Sequence, residues 1–163
     1  MRDLVAGLVA VGLLLVAGSL ATTLHRYRQR RQRARDSERA RGRTILAELP
    51  TAEDLVLFSE DAARFYYGDQ SIDKTRITAV RVLINGAPIA AVTALRYARQ
   101  QGQPTSFDDR PEGIARDRWD VAIEAVDGTV LVECGAIRER VSQELARTVF
   151  DAVKRDVERR NAE

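Results

Sequence analysis

The chain has 163 residues, 45% apolar and 31% charged, with one cysteine, one histidine and a net charge of +2. These values fit one globular domain with an attached segment and exclude a disordered tail, a polytopic transporter and a disulfide-stapled scaffold. The small net charge conceals an asymmetry: residues 25–43 carry nine Arg against Asp36 and Glu38, or +7, while residues 44–163 carry 16 basic and 21 acidic side chains, or −5.

Residues 4–24 form a run of 21 without a charge. As a helix rising about 1.5 Å per residue it would reach about 31 Å, the thickness of a bilayer's hydrocarbon core. The run ends at His25, and Arg26, Arg28, Arg30, Arg31, Arg33 and Arg35 follow. Basic residues beside a spanning helix stay on the cytoplasmic side, so the expectation is a single-pass anchor over 1–24 in the cell membrane, N-terminus outside and remainder cytoplasmic. Ser19-Leu20-Ala21 also has the small-x-small form of a signal-peptidase site. A leader starting Met1-Arg2-Asp3, with its basic cluster after the apolar run, argues against cleavage. Within the run, Ala6, Ala10, Ala17 and Ala21 are spaced 4, 7 and 4 apart. They make a candidate helix-packing face, through which the chain could form an oligomer.

Residues 25–50 read as a basic juxtamembrane stalk. Arg, Gln, Ala and Glu favour helix, and the six arginines from Arg26 to Arg35 are the candidate contacts to anionic lipid headgroups. Gly42 interrupts the helix. Thr44-Ile45-Leu46-Ala47-Glu48-Leu49 is expected to add a turn or short helix, and Pro50 marks the entry to a domain over 51–163.

Beyond Pro50 the pattern turns to strands. Leu55-Val56-Leu57-Phe58-Ser59 and Arg64-Phe65-Tyr66-Tyr67 are β-rich runs separated by Glu60-Asp61 and closed by Gly68-Asp69. Residues 77–84 and 87–94 flank Asn85-Gly86, the strongest short hairpin signal. Pro88 suits an edge strand or the first residues of the returning one. Residues 99–117, with Gly102, Pro104, Pro111 and Gly113, read as a long polar loop without a ligand set. Trp119, Val121, Ile123 and Ala125 alternate with Asp120 and Glu124, the mark of a half-buried strand. Asp127-Gly128 turns it into Thr129-Val130-Leu131-Val132-Glu133-Cys134, and Cys134 is expected to be a small core residue. Ile137, Val141, Leu145, Val149, Val153 and Val157 recur every four residues, giving a long amphipathic helix that starts near Arg138 or at a Ser142 cap.

The fold class expected is thus α+β: an N-terminal transmembrane helix, a basic helical stalk, and a small antiparallel sheet or barrel capped by a C-terminal amphipathic helix. The hairpin at Asn85-Gly86, the strand pair 119–134 and the helix 138–160 make the domain resemble a bacterial membrane-anchored pleckstrin-homology-like protein, over about 110 residues from Leu55. The resemblance implies a strongly bent sheet closed by the helix, presenting loops and a sheet edge to a protein or peptide. Lipid-phosphate binders of that family carry Lys and Arg between the first strands, where this chain has Ser59-Glu60-Asp61, so phosphoinositide binding is not implied.

No catalytic constellation is visible. The single histidine, the lack of a CxxC pair and the absence of GxxxxGK[ST], GxGxxG and GxSxG patterns point away from an enzyme, and no metal site or cofactor is expected. Glu53-Asp54 and Asp108-Asp109 read as solvated loop carboxylates. The function expected is that of a non-enzymatic scaffold or accessory subunit of a membrane-protein complex, or alternatively a tether that localises a soluble protein. Its partners would be membrane lipids and an unidentified protein, with no specific nucleic acid. Phe65, Tyr66 and Tyr67 are candidate partner contacts, because one ring at least must face away from the core if the segment is a strand.

Overall fold

The structure, a computed structural model, describes residues 2–51, 55–97 and 118–162, with the side chains of residues 2–17, 21 and 97 outside the description. The chain divides into two units, Met1–Ser37 and Glu38–Glu163. A first helix, α1, runs over Arg2–Ala40. Among the described residues eight strands follow: β1 (Thr44–Pro50), β2 (Leu55–Glu60), β3 (Arg64–Tyr67), β4 (Gln70–Asp73), β5 (Ile77–Ile84), β6 (Ala87–Thr93), β7 (Arg118–Ala125) and β8 (Gly128–Ala136), and then α2 (Arg140–Ala162).

The expectation of a single-pass membrane anchor is corrected. Among the described residues, no helix is long and apolar enough to cross a membrane. The described side chains of α1 begin at Gly18, and from His25 onward they are mostly exposed and arginine-rich. Ahead of the arginines the described side chains cover only the short stretch from Gly18 to Leu24, whereas a crossing needs about 20 consecutive apolar residues. The side chains of the apolar run itself lie mostly outside the description, as do Ala6, Ala10, Ala17 and Ala21. The cell-membrane location with an outside N-terminus loses its basis with the anchor.

In the second unit β1, β2, β3 and β4 form one antiparallel sheet in chain order, and the other has the order β6-β5-β7-β8. The segment 44–49, expected as turn or short helix, is strand β1. It pairs from Thr44↔Glu60 to Pro50↔Leu55 and buries Ala47 and Leu49. Its Leu, Ala and Glu residues favour helix weakly, by tenths of a kcal/mol each, and pairing with burial outweighs that preference.

The Asn85-Gly86 hairpin forms as expected: both residues have positive φ, 52° and 78°, the left-handed pair that matches the twist of two-residue hairpins. At the second hairpin the loop residues are Val126 and Asp127, since Ala125 already pairs with Gly128.

The core joins both sheets to α2. Phe58 and Phe65 stack at a centroid distance of 5.7 Å, and Leu49, Ile77, Val80, Val121, Ile123 and Val132 are fully buried with them. From α2 the buried set is Ser142, Ala146, Val149, Ala152, Val153, Asp156 and Val157. Val141, expected on this face, is exposed. Steps of four residues on a helix of 3.6 per turn drift by about 40° each, so with Val149, Val153 and Val157 in the buried stripe, Val141, two steps before Val149, lies outside it. Helix α2 begins at Arg140, between the two expected starts, and the Glu139 carbonyl accepts from the Ser142 and Gln143 N–H groups.

Candidate functional site: a charged cleft beside the C-terminal helix

Strands β2 and β3 meet at a short turn whose geometry is set by Asp61. Its carboxylate accepts from the Ala63 and Arg64 N–H groups at 2.8 and 2.7 Å and from the Tyr66 hydroxyl at 2.7 Å. The Tyr66 hydroxyl is the largest of several donors that hold the Asp61 pKa below the usual carboxylate value, with the two backbone groups next. The same bond raises the Tyr66 pKa.

Lys74 approaches this turn from the 3-10 turn Lys74–Arg76 after β4. Its side chain is 9% exposed, and Nζ donates to Glu60 Oε2 at 2.8 Å and to the Asp61 carbonyl at 2.7 Å while standing 4.5 Å from the centre of the Phe65 ring. A buried ammonium needs such partners, because desolvating an unpaired charge costs several kcal/mol.

Glu38, at the start of the second unit, ties the segment before β1 to Ser59 of β2. It accepts from Arg41 and Arg43, each at 3.1 Å, and from Ser59 Oγ at 2.7 Å. Burial pushes the Glu38 pKa upward, but the bonds from Ser59 and Arg43 outweigh it and the net shift is downward. The Arg43 guanidinium lies 3.5 Å from the centre of the Tyr66 ring, a cation–π contact. A continuous polar chain therefore runs Glu38, Arg43, Tyr66, Asp61.

Glu60, Asp61 and Lys74 form one wall of a cleft of about 610 Å³ and face Arg155, Asp156 and Arg159 of α2. Asp156 is buried and held by Arg159 and by Arg160, the latter at 3.1 Å. The turn wall is acidic by one charge and the α2 wall basic by one.

The residues singled out from sequence are distributed differently. Phe65 is fully buried, so it is not presented to a partner, and Tyr67 is half-buried with its hydroxyl accepting from the Glu133 N–H at 3.4 Å. Tyr66 is the ring turned away from the core, and it belongs to the cleft's supporting chain. Arg26, Arg28, Arg30, Arg31 and Arg33 are exposed on α1 and Arg35 is half-exposed. His25 is exposed, its Nε2 2.9 Å from Gln29 Nε2. The loop 99–117, with Asp108-Asp109, and Glu53-Asp54 lie outside the described residues. Lys74 was missed because nothing in its neighbours separates it from a solvated surface lysine, and Arg155 and Arg159 read only as the polar side of a helix.

A second buried polar group, Asp120, lies in the other sheet. It was expected on a solvent face, yet it is fully buried, opposite Glu133 of β8 and Leu83 of β5. Burial raises its pKa, and the Arg118 guanidinium, with Nε 2.7 Å from Oδ1, offsets this in part. Cys134 lies in the core, and burial, with a smaller push from Asp120, raises its thiol pKa to about 12.

No protein-family model matches this chain, and no curated protein or solved structure matches it either.

Proposed function

We propose that this chain is a non-enzymatic binding module, a scaffold or accessory subunit whose second unit receives a segment of a partner protein in the charged cleft. One observation carries the reading: the ionisable groups of the cleft are held in fixed pairs. Lys74 has two acceptors, the Asp61 carboxylate three donors and Asp156 two arginines. General acid–base catalysis needs a group poised to exchange a proton near neutrality, whereas three donors keep Asp61 ionised far below it. Fixed charges of opposite sign on two walls suit recognition, in which complementary potentials set register and reject mismatched partners. The antiparallel sheets with a C-terminal helix support a pleckstrin-homology-like scaffold as the frame for this cleft.

The test is charge reversal on the exposed wall. Arg155→Glu makes both walls acidic while leaving the buried Asp156 pair intact, so partner capture from cells should fall severalfold and circular dichroism should stay unchanged. Undiminished capture of the same partner by a folded Arg155→Glu protein would remove the cleft from the account.

A further inference from the structure

Among the described residues, six ionisable side chains line the cleft beside α2: Glu60, Asp61, Lys74, Arg155, Asp156 and Arg159. Five are already held. Lys74 pairs with Glu60, the Asp61 carboxylate accepts from two N–H groups and the Tyr66 hydroxyl, and Arg159 pairs with Asp156. Arg155 differs from them. Its Nε donates to the Asp151 carbonyl at 3.1 Å, an uncharged acceptor, and among the described residues it has no carboxylate partner. That bond occupies the inner nitrogen and leaves the two terminal nitrogens as an end-on fork, a geometry that grips both oxygens of one carboxylate. Gly42, Ala62 and Ala152 line the same cleft and are too small to fill it.

Resting on the cleft as the place where a partner segment binds, we propose that the segment is acidic and seats an Asp or Glu side chain on the Arg155 fork. The α2 wall is basic by one charge, and that charge belongs to Arg155, because Arg159 and Asp156 cancel. One carboxylate neutralises it. A phosphate group, with about two negative charges at neutral pH, would leave an excess facing the turn wall, where Glu60 and Asp61 outnumber Lys74. A basic side chain would meet carboxylates that already have partners and would leave Arg155 beside a like charge. The paired groups thus reject the wrong ligand, and the unpaired guanidinium selects the right one.

The experiment selects peptides from a random library displayed on phage, using the full chain, and measures the affinity of each by fluorescence anisotropy. Cleft binders are those weakened by Ala62→Trp, which narrows the cleft at an exposed position, with the circular dichroism spectrum unchanged. They should share one Asp or Glu. Replacing that residue by Asn or Gln should weaken binding about tenfold, and an Arg155→Gln chain should bind the acidic and the amidated peptide equally. Cleft binders that share no acidic residue, or one whose replacement costs as much with Arg155→Gln, would overturn the carboxylate seat and leave the cleft as a binding site. Selection of no peptide sensitive to Ala62→Trp would overturn both.

Discussion

The Lys74 ammonium sits 2.8 Å from Glu60 Oε2 and is buried against the Phe65 ring, so the charged cleft and the aromatic core share one side chain. Removing the ammonium leaves Glu60 and the Asp61 carbonyl without their donor beside the core. Lys74→Met should lower the unfolding free energy by about 1–3 kcal/mol, below the full cost of breaking a buried pair because Glu60 retains access to water. Urea unfolding measures this, and a loss near zero would mean that water replaces the ammonium freely.

Gly135, near the end of β8, has a φ of 111°, and a Cβ there would stand 2.5 Å from Ser142 Oγ and 3.3 Å from its Cβ. Both strain and clash oppose any side chain. Gly135→Ala should cost about 2–4 kcal/mol. Ser142→Ala in that background removes the closer contact but not the strain, so it should restore part of the loss. A double-mutant cycle by denaturant unfolding reads the coupling, and additive effects would show that the clash is relieved elsewhere.

Asp61 and Asp120 should pull stability in opposite directions on the acid side. The folded-state pKa of Asp61 is lowered, so its contribution is present above the unfolded carboxylate value and is lost as pH falls through the folded one. Asp120 is raised, so the folded state holds its proton more tightly and stability falls as pH climbs from the unfolded value through the folded one. Tyr66→Phe should raise the Asp61 pKa, and Asp120→Asn should remove the second trend. Carboxyl NMR titration with unfolding curves at several pH values separates the two.

Cys134, fully buried with its thiol pKa near 12, should react with a disulfide reagent only through unfolding. Its labelling rate at neutral pH should follow denaturant concentration in step with global unfolding. Fast labelling of the folded protein would show a local opening of β8.

How much of this was legible from sequence differs by element. Strands β5 and β7 were legible because their residues alternate with period two, β2 and β3 because they are β-rich runs, and the hairpins because their turns carry Asn-Gly, Asp-Gly or Gly-Asp pairs. Strand β1 was not, since Leu-Ala-Glu-Leu favours helix locally and only the partner strand 55–60 decides otherwise. Strand β4, Gln70–Asp73, is too short and polar to show a period. The anchor was read from hydropathy alone, and the described helix does not support a membrane crossing. The cleft was invisible because its walls come from residues about 80–100 apart: Glu60 and Lys74 against Arg155 and Asp156. Asp120 was misplaced because alternation assigns a face but not what covers it, and here the aspartate is fully buried with the Arg118 guanidinium against it.

The central claim is that the cleft between the β2–β3 turn and α2 is where a partner protein binds. Photo-crosslinking residues placed in living cells at Ala62 on the turn wall, at Arg155 on the helix wall and at Arg147 outside the cleft measure this most directly. The account expects Ala62 and Arg155 to label one and the same protein, Arg147 not to label it, and Lys74→Met to weaken the Ala62 product. Labelling of unrelated proteins from the two walls, or equal labelling of one protein from Arg147, would contradict it.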